Sequence, residues 1–192
     1  NHTLILVNGI KINDSATGAA AIQNIHPDLI EKIEIIKAPR TSLYGSNAVG
    51  GVINIITKKQ TKTGYEIGYK TGSDSTQILN FMSGFNSSEI QGGIQFHKYK
   101  TDGFPARIES KVASGHENDS INAFLNFDHA NWSLVTNVWQ SSGTTEYLDF
   151  FLSPVSQNFN NTTGSLDINT IVSNKWVSNF NFGFSRDDIK QN

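Results

Sequence analysis

The chain has 192 residues, of which 37% are hydrophobic and 17% are charged, and its formal net charge is -2. This composition excludes a disordered chain, and so small a net charge gives no field that would favour a nucleic acid as partner. The absence of cysteine excludes a disulfide scaffold, a thiolate metal site and a cysteine nucleophile.

Two features of the whole chain frame its organisation. It begins at Asn1 without the basic and apolar regions of a signal peptide, so we expect a fragment of a longer protein whose targeting signal lies elsewhere. Its apolar runs are shorter than the roughly 18 residues of a membrane-spanning helix. Residues 1–63 carry a formal charge of +3 and residues 64–192 carry -5, and the hydrophobic pattern changes at the same point. The sequence therefore predicts a domain boundary between residues 63 and 64.

The first region mixes short strands, turns and a glycine-rich segment. Residues 3–12 predict two short strands around Asn8-Gly9, a dipeptide typical of hairpin turns. The small and polar residues 13–24 predict a loop, and Pro27 opens a short helical turn. A strand is predicted at 29–36, followed by a turn rich in glycine and a further apolar strand at 52–57.

The second region alternates apolar and polar residues with a period of two. Ile90 and Ile94, for example, share one face of a predicted strand, and Gln91 and Gln95 share the other. About seven strands of roughly 9–11 residues are predicted, a length that crosses a bilayer when the strand is tilted. They fall at 64–71, 76–86, 88–99, 119–129, 132–142, 163–173 and 176–186.

The connections between these strands are predicted to alternate in length. Those near 86–88 and 130–131 are tight, whereas those at 100–118 and 143–162 are long. Short turns at one end and long loops at the other are typical of outer-membrane barrels. Aromatic residues near the strand ends fit the girdles that lie at membrane interfaces, namely Tyr99, Trp132, Trp139 and Trp176.

Alternatives to a membrane barrel remain open at this stage. A soluble β-sandwich also alternates, and a passive porin or adhesin barrel has similar strands. Seven strands on their own leave two open sheet edges, which a bilayer does not tolerate. A barrel of about eight strands has room inside only for its own side chains. Either the first 63 residues lie outside the barrel, or the complete barrel has many more strands. No nucleotide loop, catalytic triad or framed carboxylate pair is present, so we expect no enzyme.

The run IEKIEIIKAPRTSLYGSNAVGGVINIITKK at 30–59 resembles the second half of the plug domain of TonB-dependent outer-membrane receptors. It follows the family pattern densely and departs from it at Ala38, where the family usually has glycine. The resemblance singles out as plug-motif residues Glu31, Glu34, Lys37, Pro39, Arg40, Tyr44, Gly45, Gly50, Gly51 and Asn54. The charged members of this set are expected to form ionic contacts with the barrel wall, or else ordinary surface pairs.

The resemblance implies a mainly β fold in two parts. Residues 1–63 would be the C-terminal half of an α+β plug domain, and residues 64–192 would be about seven antiparallel strands of a transmembrane β-barrel that has 22 strands in the full family. The implied location is the outer membrane of a Gram-negative bacterium, in contact with lipid. The implied activity is energy-coupled uptake, with the protein TonB engaged through a segment that is not in this chain.

Within that family, the LVNGIKIN start and the small-residue loop after it are most similar to the cobalamin (vitamin B12) receptors. The corresponding plug loop contacts the ligand, which implies a binding role for Asn13, Asp14, Ser15, Ala16, Thr17, Gly18, Ala19 and Ala20. A plain flexible loop is the alternative. Ferric siderophore or haem receptors share the plug motif, so they remain the alternative ligand class.

Cobalamin receptors also have calcium sites in an early extracellular loop. The resemblance places Glu117 and Asp119, with Asp102 nearby in sequence, at the equivalent acidic run. Calcium prefers six to eight oxygen ligands with several converging carboxylates. Only part of the family pattern survives, because Pro105 stands where a further acid is expected. Solvated loop acids are therefore the alternative to a calcium site.

Overall fold

The computed structural model describes residues 3–14, 17–37, 48–108 and 110–191, which form two sheets. The front unit contains strands β1 (Thr3–Val7), β2 (Ile10–Lys11), β3 (Ile30–Lys37) and β4 (Gly51–Thr57) in the order β2-β1-β4-β3. β1 is parallel to β4, and the other neighbours are antiparallel. Two 3-10 turns, Ile22–Asn24 and Pro27–Leu29, connect β2 to β3.

Local backbone chemistry explains the two sharpest features of the front unit. Asn8 and Gly9 both have positive φ, 49° and 84°, as the tight turn between β1 and β2 requires. Gly51 begins β4 with φ 128°, and a Cβ there would lie 2.5 Å from the carbonyl oxygen of Ile36. Only glycine allows β3 and β4 to approach so closely at this point.

The second sheet has seven strands that pair antiparallel in chain order. They are β5 (Gly64–Thr71), β6 (Gln77–Asn86), β7 (Ile90–Thr101), β8 (His116–His129), β9 (Trp132–Leu148), β10 (Pro154–Ser173) and β11 (Trp176–Gln191). The predicted seven antiparallel strands are confirmed. In the described part of the chain, β5 and β11 pair on one side only, so the sheet has two open edges.

The later strands are longer than the alternation predicted. β9 has 17 residues and β10 has 20, and their pairing continues to Pro154 opposite Leu148. The predicted long loop at 143–162 is therefore wrong, and a turn of residues 149–153 joins the two strands. At these strand ends polar residues such as Thr144 and Asn158 occupy positions where the alternation further along each strand would place apolar ones. The period-two signal is lost there although the backbone pairing persists.

One face of the seven-stranded sheet carries rows of apolar side chains across neighbouring strands. The pairing register aligns one such row across β7 to β11, consisting of Ile94, Ala123, Val138, Gly164 and Phe184. Its large members are about half exposed, for example Val138 at 47% and Phe184 at 56%. We call the face that carries these apolar rows the outer face. The opposite or inner face packs against the front unit.

The inner face also receives two aromatic residues that the sequence assigned to an interfacial girdle. Trp139 is 1% exposed and packs against the front unit, and Tyr99 stacks on His26. The girdle prediction is therefore wrong for these two residues, because their strand positions share the inward parity of buried polar neighbours. Trp132 and Trp176 are 41% and 61% exposed, as a girdle requires. No helix among the described residues is long and apolar enough to cross a membrane.

Candidate functional site

The inner face holds the front unit through a buried network of neutral amides. The Asn24 side chain donates to Oδ1 of Asn161 at 2.7 Å. Its backbone carbonyl accepts from Nδ2 of Asn118 and from Oγ of Ser141, both at 2.8 Å. All four residues are at most 8% exposed. Asn24 lies at the end of a 3-10 turn, where its carbonyl is free to accept bonds from the neighbouring strands.

A second amide contact lies at the hairpin turn of the front unit. Asn8 donates from Nδ2 to Oδ1 of Asn137 at 2.7 Å and to Oγ1 of Thr57 at 2.9 Å. Its own oxygen accepts from the Thr57 amide at 3.0 Å. Asn122 donates to the carbonyl of Lys58 at 3.2 Å. These bonds join β1 and β4 to strands β8 and β9 without any charged group.

Apolar packing accompanies the amide network. Trp139 forms a cluster with Val7, Ile25 and Ile55 of the front unit, and each member is at most 6% exposed. A buried tryptophan contributes a large apolar area, so this cluster is a principal contact between the two sheets. The remaining front-unit core, formed by Leu4, Leu6, Ala48 and Val52, is internal to that unit.

Charged and titratable groups meet where the second 3-10 turn touches the inner face. Nζ of Lys70 lies 3.0 Å from a carboxylate oxygen of Asp28. This hydrogen bond holds the pKa of Asp28 below its ordinary value, whereas burial lowers the pKa of the neighbouring His26. The His26 ring lies 4.2 Å from the ring of His97 and 4.9 Å from that of Tyr99.

The segment between the two sheets runs over inward-facing glycines. A Cβ at Gly84 would lie 2.1 Å from the carbonyl oxygen of Gln60, and one at Gly93 would lie 3.1 Å from it. Nζ of Lys59 lies 5.2 Å from the centre of the Phe124 ring, and burial lowers the pKa of this lysine. The glycines therefore make room for residues 58–63 to lie flat on the sheet.

The predicted ligand loop at 13–20 is a compact turn closed by a bridge between Asn13 and Ala20. The Asn13 side chain is used internally, since it bonds the Ile5 amide and the carbonyls of Thr3 and Gly18. Asp14 accepts from the amide and hydroxyl of Thr17 at 2.7 and 2.8 Å. Thr17 and Ala19 are exposed, and Ser15 and Ala16 lie outside the described residues. Among the described residues of the loop, Thr17 and Ala19 are therefore exposed, whereas the Asn13 side chain is used inside the front unit.

A groove of about 450 Å³ lies between this loop and β11. Lys11, Asn13 and Asp14 line it on one side, and Ser185 and Asp187 line it on the other. Asp187 also accepts a hydrogen bond from Nδ2 of Asn161 at 2.7 Å. The groove therefore brings a predicted loop residue, Asp14, next to a wall carboxylate that the sequence did not single out.

The described plug-motif residues serve the front unit itself. Oδ1 of Asn54 accepts from the Gly9 amide at 3.0 Å, and its Nδ2 donates to Glu34 at 3.4 Å. Glu34 also pairs with Lys32 at 2.8 Å, and both are well exposed. Glu31 and Lys37 are exposed on β3, and Gly50 is exposed just before β4. Pro39, Arg40, Tyr44 and Gly45 lie outside the described residues, so the ionic contacts expected of Arg40 stay a prediction.

The acidic residues proposed for calcium lie partly on the outer face. Glu117 and Asp119 alternate with the inward-facing Asn118, and both contact Nζ of Lys98, at 3.0 and 3.2 Å. Asp102 lies beyond the end of β7 and lines a groove with Glu117 and Glu146. Within the described ranges, no three His, Asp or Glu residues are arranged to hold a metal ion. The calcium site stays a prediction.

The residues that dock the front unit were missed by sequence reasoning. Asn24, Asn118, Asn137, Ser141 and Asn161 are buried, although Asn and Ser are common at exposed positions. The available signal was the polar face of each alternating strand, because small amides and hydroxyls there can satisfy a buried partner.

Comparison with known proteins agrees with this geometry. Residues 1–52 match the family model described as TonB-dependent Receptor Plug Domain. The fold is also that of solved receptors: the siderophore receptor PiuA from Acinetobacter baumannii superposes with a TM-score of 0.73 at 13% identity, over 98% of this chain and 29% of that one. The siderophore receptor PirA from Pseudomonas aeruginosa gives 0.64 at 19% identity, over 99% and 33%. The predicted resemblance is confirmed: these first residues belong to the plug-domain family of TonB-dependent receptors.

Two individual relatives match a larger part of the chain than the family model does. The chain is 35% identical over 157 residues to the vitamin B12 transporter BtuB of Vibrio vulnificus, covering 78% of this chain and 25% of that protein. It is 32% identical over 163 residues to the vitamin B12 transporter BtuB of Photobacterium profundum, covering 81% and 27%. The chain therefore spans about a quarter of the length of the curated relatives that it matches.

Proposed function

We propose that this chain is part of a TonB-dependent outer-membrane receptor that takes up cobalamin or a related scarce chelate. The observation that carries the proposal is the two-sided character of the seven-stranded sheet. Its outer face presents apolar rows such as Ile94, Val138 and Phe184, and its inner face holds a separately folded unit through buried amides. Lipid on one side and a docked plug on the other account for both faces.

In this proposal, residues 1–63 form the C-terminal half of the plug, and residues 64–192 form the first strands of the barrel wall. The open edges of β5 and β11 would pair with further strands of the complete barrel, since a bilayer does not tolerate unpaired edges. Outer-membrane lipid would contact the outer face. TonB would engage a plug segment outside this chain and supply the pull that rearranges the plug.

The docked front unit argues against the alternatives. A passive porin or adhesin barrel has no need of a folded unit on its inner face, held by side chains from β8, β9 and β10. A soluble sandwich would cover the apolar rows with a second protein layer, whereas the described residues leave Val138 and Phe184 about half exposed. Uptake requires no bond to be made or broken, so binding and plug movement suffice.

The choice of ligand rests on the groove beside the 13–20 loop. The groove lining carries two carboxylates, Asp14 and Asp187, against one cation, Lys11, so its formal charge is negative. A strongly anionic ferric siderophore would be repelled there, whereas a corrinoid carries neutral amide groups that can donate to carboxylates. The relatives named as vitamin B12 transporters support the same choice. Siderophore receptors share the fold, so a ferric siderophore is the alternative ligand.

Titration of the full-length receptor with cyanocobalamin and with ferric enterobactin, each with and without calcium, tests this proposal. We expect tight cobalamin binding, and calcium would strengthen it if the acids near Glu117 and Asp119 bind the ion. Tighter binding of the siderophore than of cobalamin would overturn the ligand assignment.

Loop variants locate the site. Thr17→Trp places a large side chain at the exposed loop tip and is expected to weaken ligand binding at least tenfold, or about 1.4 kcal/mol. The matched control is Asn174→Trp, in the tight turn at the opposite end of the sheet, which should leave the affinity unchanged. Equal effects of the two substitutions would exclude the loop as the binding site.

A further inference from the structure

The strongest unassigned feature of the molecule is a pair of histidines where the front unit meets the inner face. The ring of His26, which precedes the Pro27–Leu29 turn, lies 4.2 Å from the ring of His97 on β7, and the planes are inclined by 31°. The contact extends through Tyr99 to His116 and on to Phe159 of β10. His97 is completely buried and His26 is half-buried.

The hydrogen bonds assign one proton to each ring. Nδ1 of His26 accepts from the amide of Asp28 at 3.2 Å, so the proton of a neutral ring is on Nε2. Nδ1 of His97 lies 2.6 Å from Oδ1 of Asn80, which can only accept, so the proton is on Nδ1. Nε2 of His97 is then a buried lone pair that has no hydrogen-bond partner.

A second proton on either ring disrupts this arrangement. On His26 the proton enters at Nδ1, which turns the acceptor of the Asp28 amide into a donor and breaks the cap of the 3-10 turn. On His97 it enters at Nε2, where the new N–H is buried and has no acceptor. The first change weakens the turn that rests on the wall, and the second leaves an unsatisfied donor at the contact between the His26 and His97 rings.

The other groups around the pair do not offset this cost. Asp28 lies on the same turn as His26 and is, among the described residues, the one carboxylate that favours a charge on both rings, but it is already bonded to Lys70 of β5. Lys70 and His116 of β8 both oppose an added positive charge on His26. Tyr99 of β7 contributes a ring contact and Asn80 of β6 contributes an uncharged amide. The net surroundings of the pair favour two uncharged rings.

We propose that the His26–His97 stack is a proton-sensitive latch, which holds the plug segment around Pro27–Leu29 against the barrel wall at neutral pH and releases it in acid. The inference builds on the proposed function, because it takes the front unit to be a plug and the sheet to be a barrel wall. It adds a dependence of plug docking on the pH of the water that fills the lumen. The latch lies apart from the 13–20 loop, so ligand binding at neutral pH does not require it.

The size of the effect follows from linkage. Each histidine that titrates near 6.5 when released, and that takes no second proton when docked, shifts the docking equilibrium about tenfold between pH 7.5 and pH 5.5, so the pair shifts it by up to about a hundredfold. Hydrogen exchange of the full-length receptor in detergent measures it, through protection factors corrected for the intrinsic rate at each pH. We expect the amides at 26–30 to lose between about tenfold and about a hundredfold protection at the lower pH.

Variants separate the latch from general acid sensitivity. His26→Asn keeps a capping oxygen without a titrating ring, so the fall in protection at acid pH should be smaller by up to about tenfold, and the remainder comes from His97. The control is His129→Gln, at an exposed histidine 3.4 Å from Glu89, which should respond to pH as the unmodified receptor does. Unchanged protection between the two pH values, or a full response in His26→Asn, would overturn the proposal.

A measurement on the unmodified receptor guards against a variant that does not fold. Nitrogen-15 NMR of histidine-labelled receptor reports the proton positions directly. We expect neutral rings at pH 7.5, with the proton on Nε2 of His26 and on Nδ1 of His97. A charged imidazolium at either position at this pH would exclude the latch. Cobalamin titration of the same sample at neutral pH tests the proposed function separately, because that result does not depend on the histidine states.

Discussion

The two faces of the seven-stranded sheet use the same alternation for opposite purposes. Along β9, Asn137, Trp139 and Ser141 point inward and are at most 4% exposed, whereas Val138 between them is 47% exposed. The inner positions bond or pack against the front unit, and the outer positions form apolar rows across strands. Side chains on the inner face are therefore buried by the front unit, whereas side chains on the outer face are left exposed by the protein and contact the surrounding medium.

This difference explains why polar residues are the more deeply buried ones in the sheet. Asn118, Ser120, Asn122 and Ser141 are each at most 1% exposed, and all have hydrogen-bond partners. Neutral amides satisfy one another without the desolvation cost of charges, and each bond exchanges readily with water. Such an interface can hold a plug firmly and still release it.

The largest effect is expected where the inner face is apolar. Trp139→Ala should cost about 3–5 kcal/mol, because the ring is buried against Val7, Ile25 and Ile55 of the front unit. Chemical denaturation of the refolded full-length receptor in detergent measures the loss. Trp132→Ala is the control, since that ring is 41% exposed, and it should cost much less. Similar losses for both tryptophans would show that Trp139 has no special role in docking.

The outer face should respond to charge rather than to truncation. Val138→Arg places a cation in the row of Ile94, Ala123, Gly164 and Phe184 and should cost about 2–4 kcal/mol in a bilayer. Gln140→Arg lies two residues further along the same face and should cost about 0–1 kcal/mol. Unfolding from lipid vesicles measures both. An equal cost at the two positions would argue against a lipid boundary between these rows.

Much of this two-faced pattern could be predicted from the sequence. Alternation along residues 64–192 predicted about seven antiparallel strands, which the structure confirms, and β5 was predicted at its observed limits, 64–71. Alternation failed at the far ends of β9 and β10, where outer positions such as Thr144 and Asn158 are polar. There the hydrogen bonds of the backbone, which the sequence pattern does not encode, decide the strand length.

The docking contacts could not be predicted, because they join residues far apart in sequence. Asn24 and Asn161 are 137 positions apart, and Asn8 and Asn137 are 129 apart. Periodicity assigns a residue to a face but does not pair it with a partner on another sheet. The same limit misassigned Trp139 to a girdle, since an aromatic residue near a strand end can pack inward as well as lie at an interface.

The amide network gives a smaller effect that separates buried from exposed amides. Asn24→Ala removes the donor to Asn161 at a buried position and should cost about 1–3 kcal/mol. Asn160→Ala on the outer face removes an acceptor of Gln140 and should change stability by less than about 0.5 kcal/mol. Denaturation of the full-length receptor compares them. A larger loss for Asn160→Ala would contradict the account of the two faces.

The smallest effect concerns the ion pair between Asp28 and Lys70. Because Lys70 lowers the pKa of Asp28, the contribution is present above the unfolded value of 3.8 and is lost as the pH falls through the lower folded value. The Lys70 side chain is 62% exposed, so solvent screening limits the contribution to about 0–1 kcal/mol. Asp28→Asn should therefore cost little at neutral pH and should flatten the stability profile below about pH 4. The control is Lys32→Gln, because Lys32 pairs with Glu34 within the front unit, and it should leave the docking of the front unit unchanged. A docking loss equal to that of Asp28→Asn would mean that surface charge in general, and not this contact, affects docking.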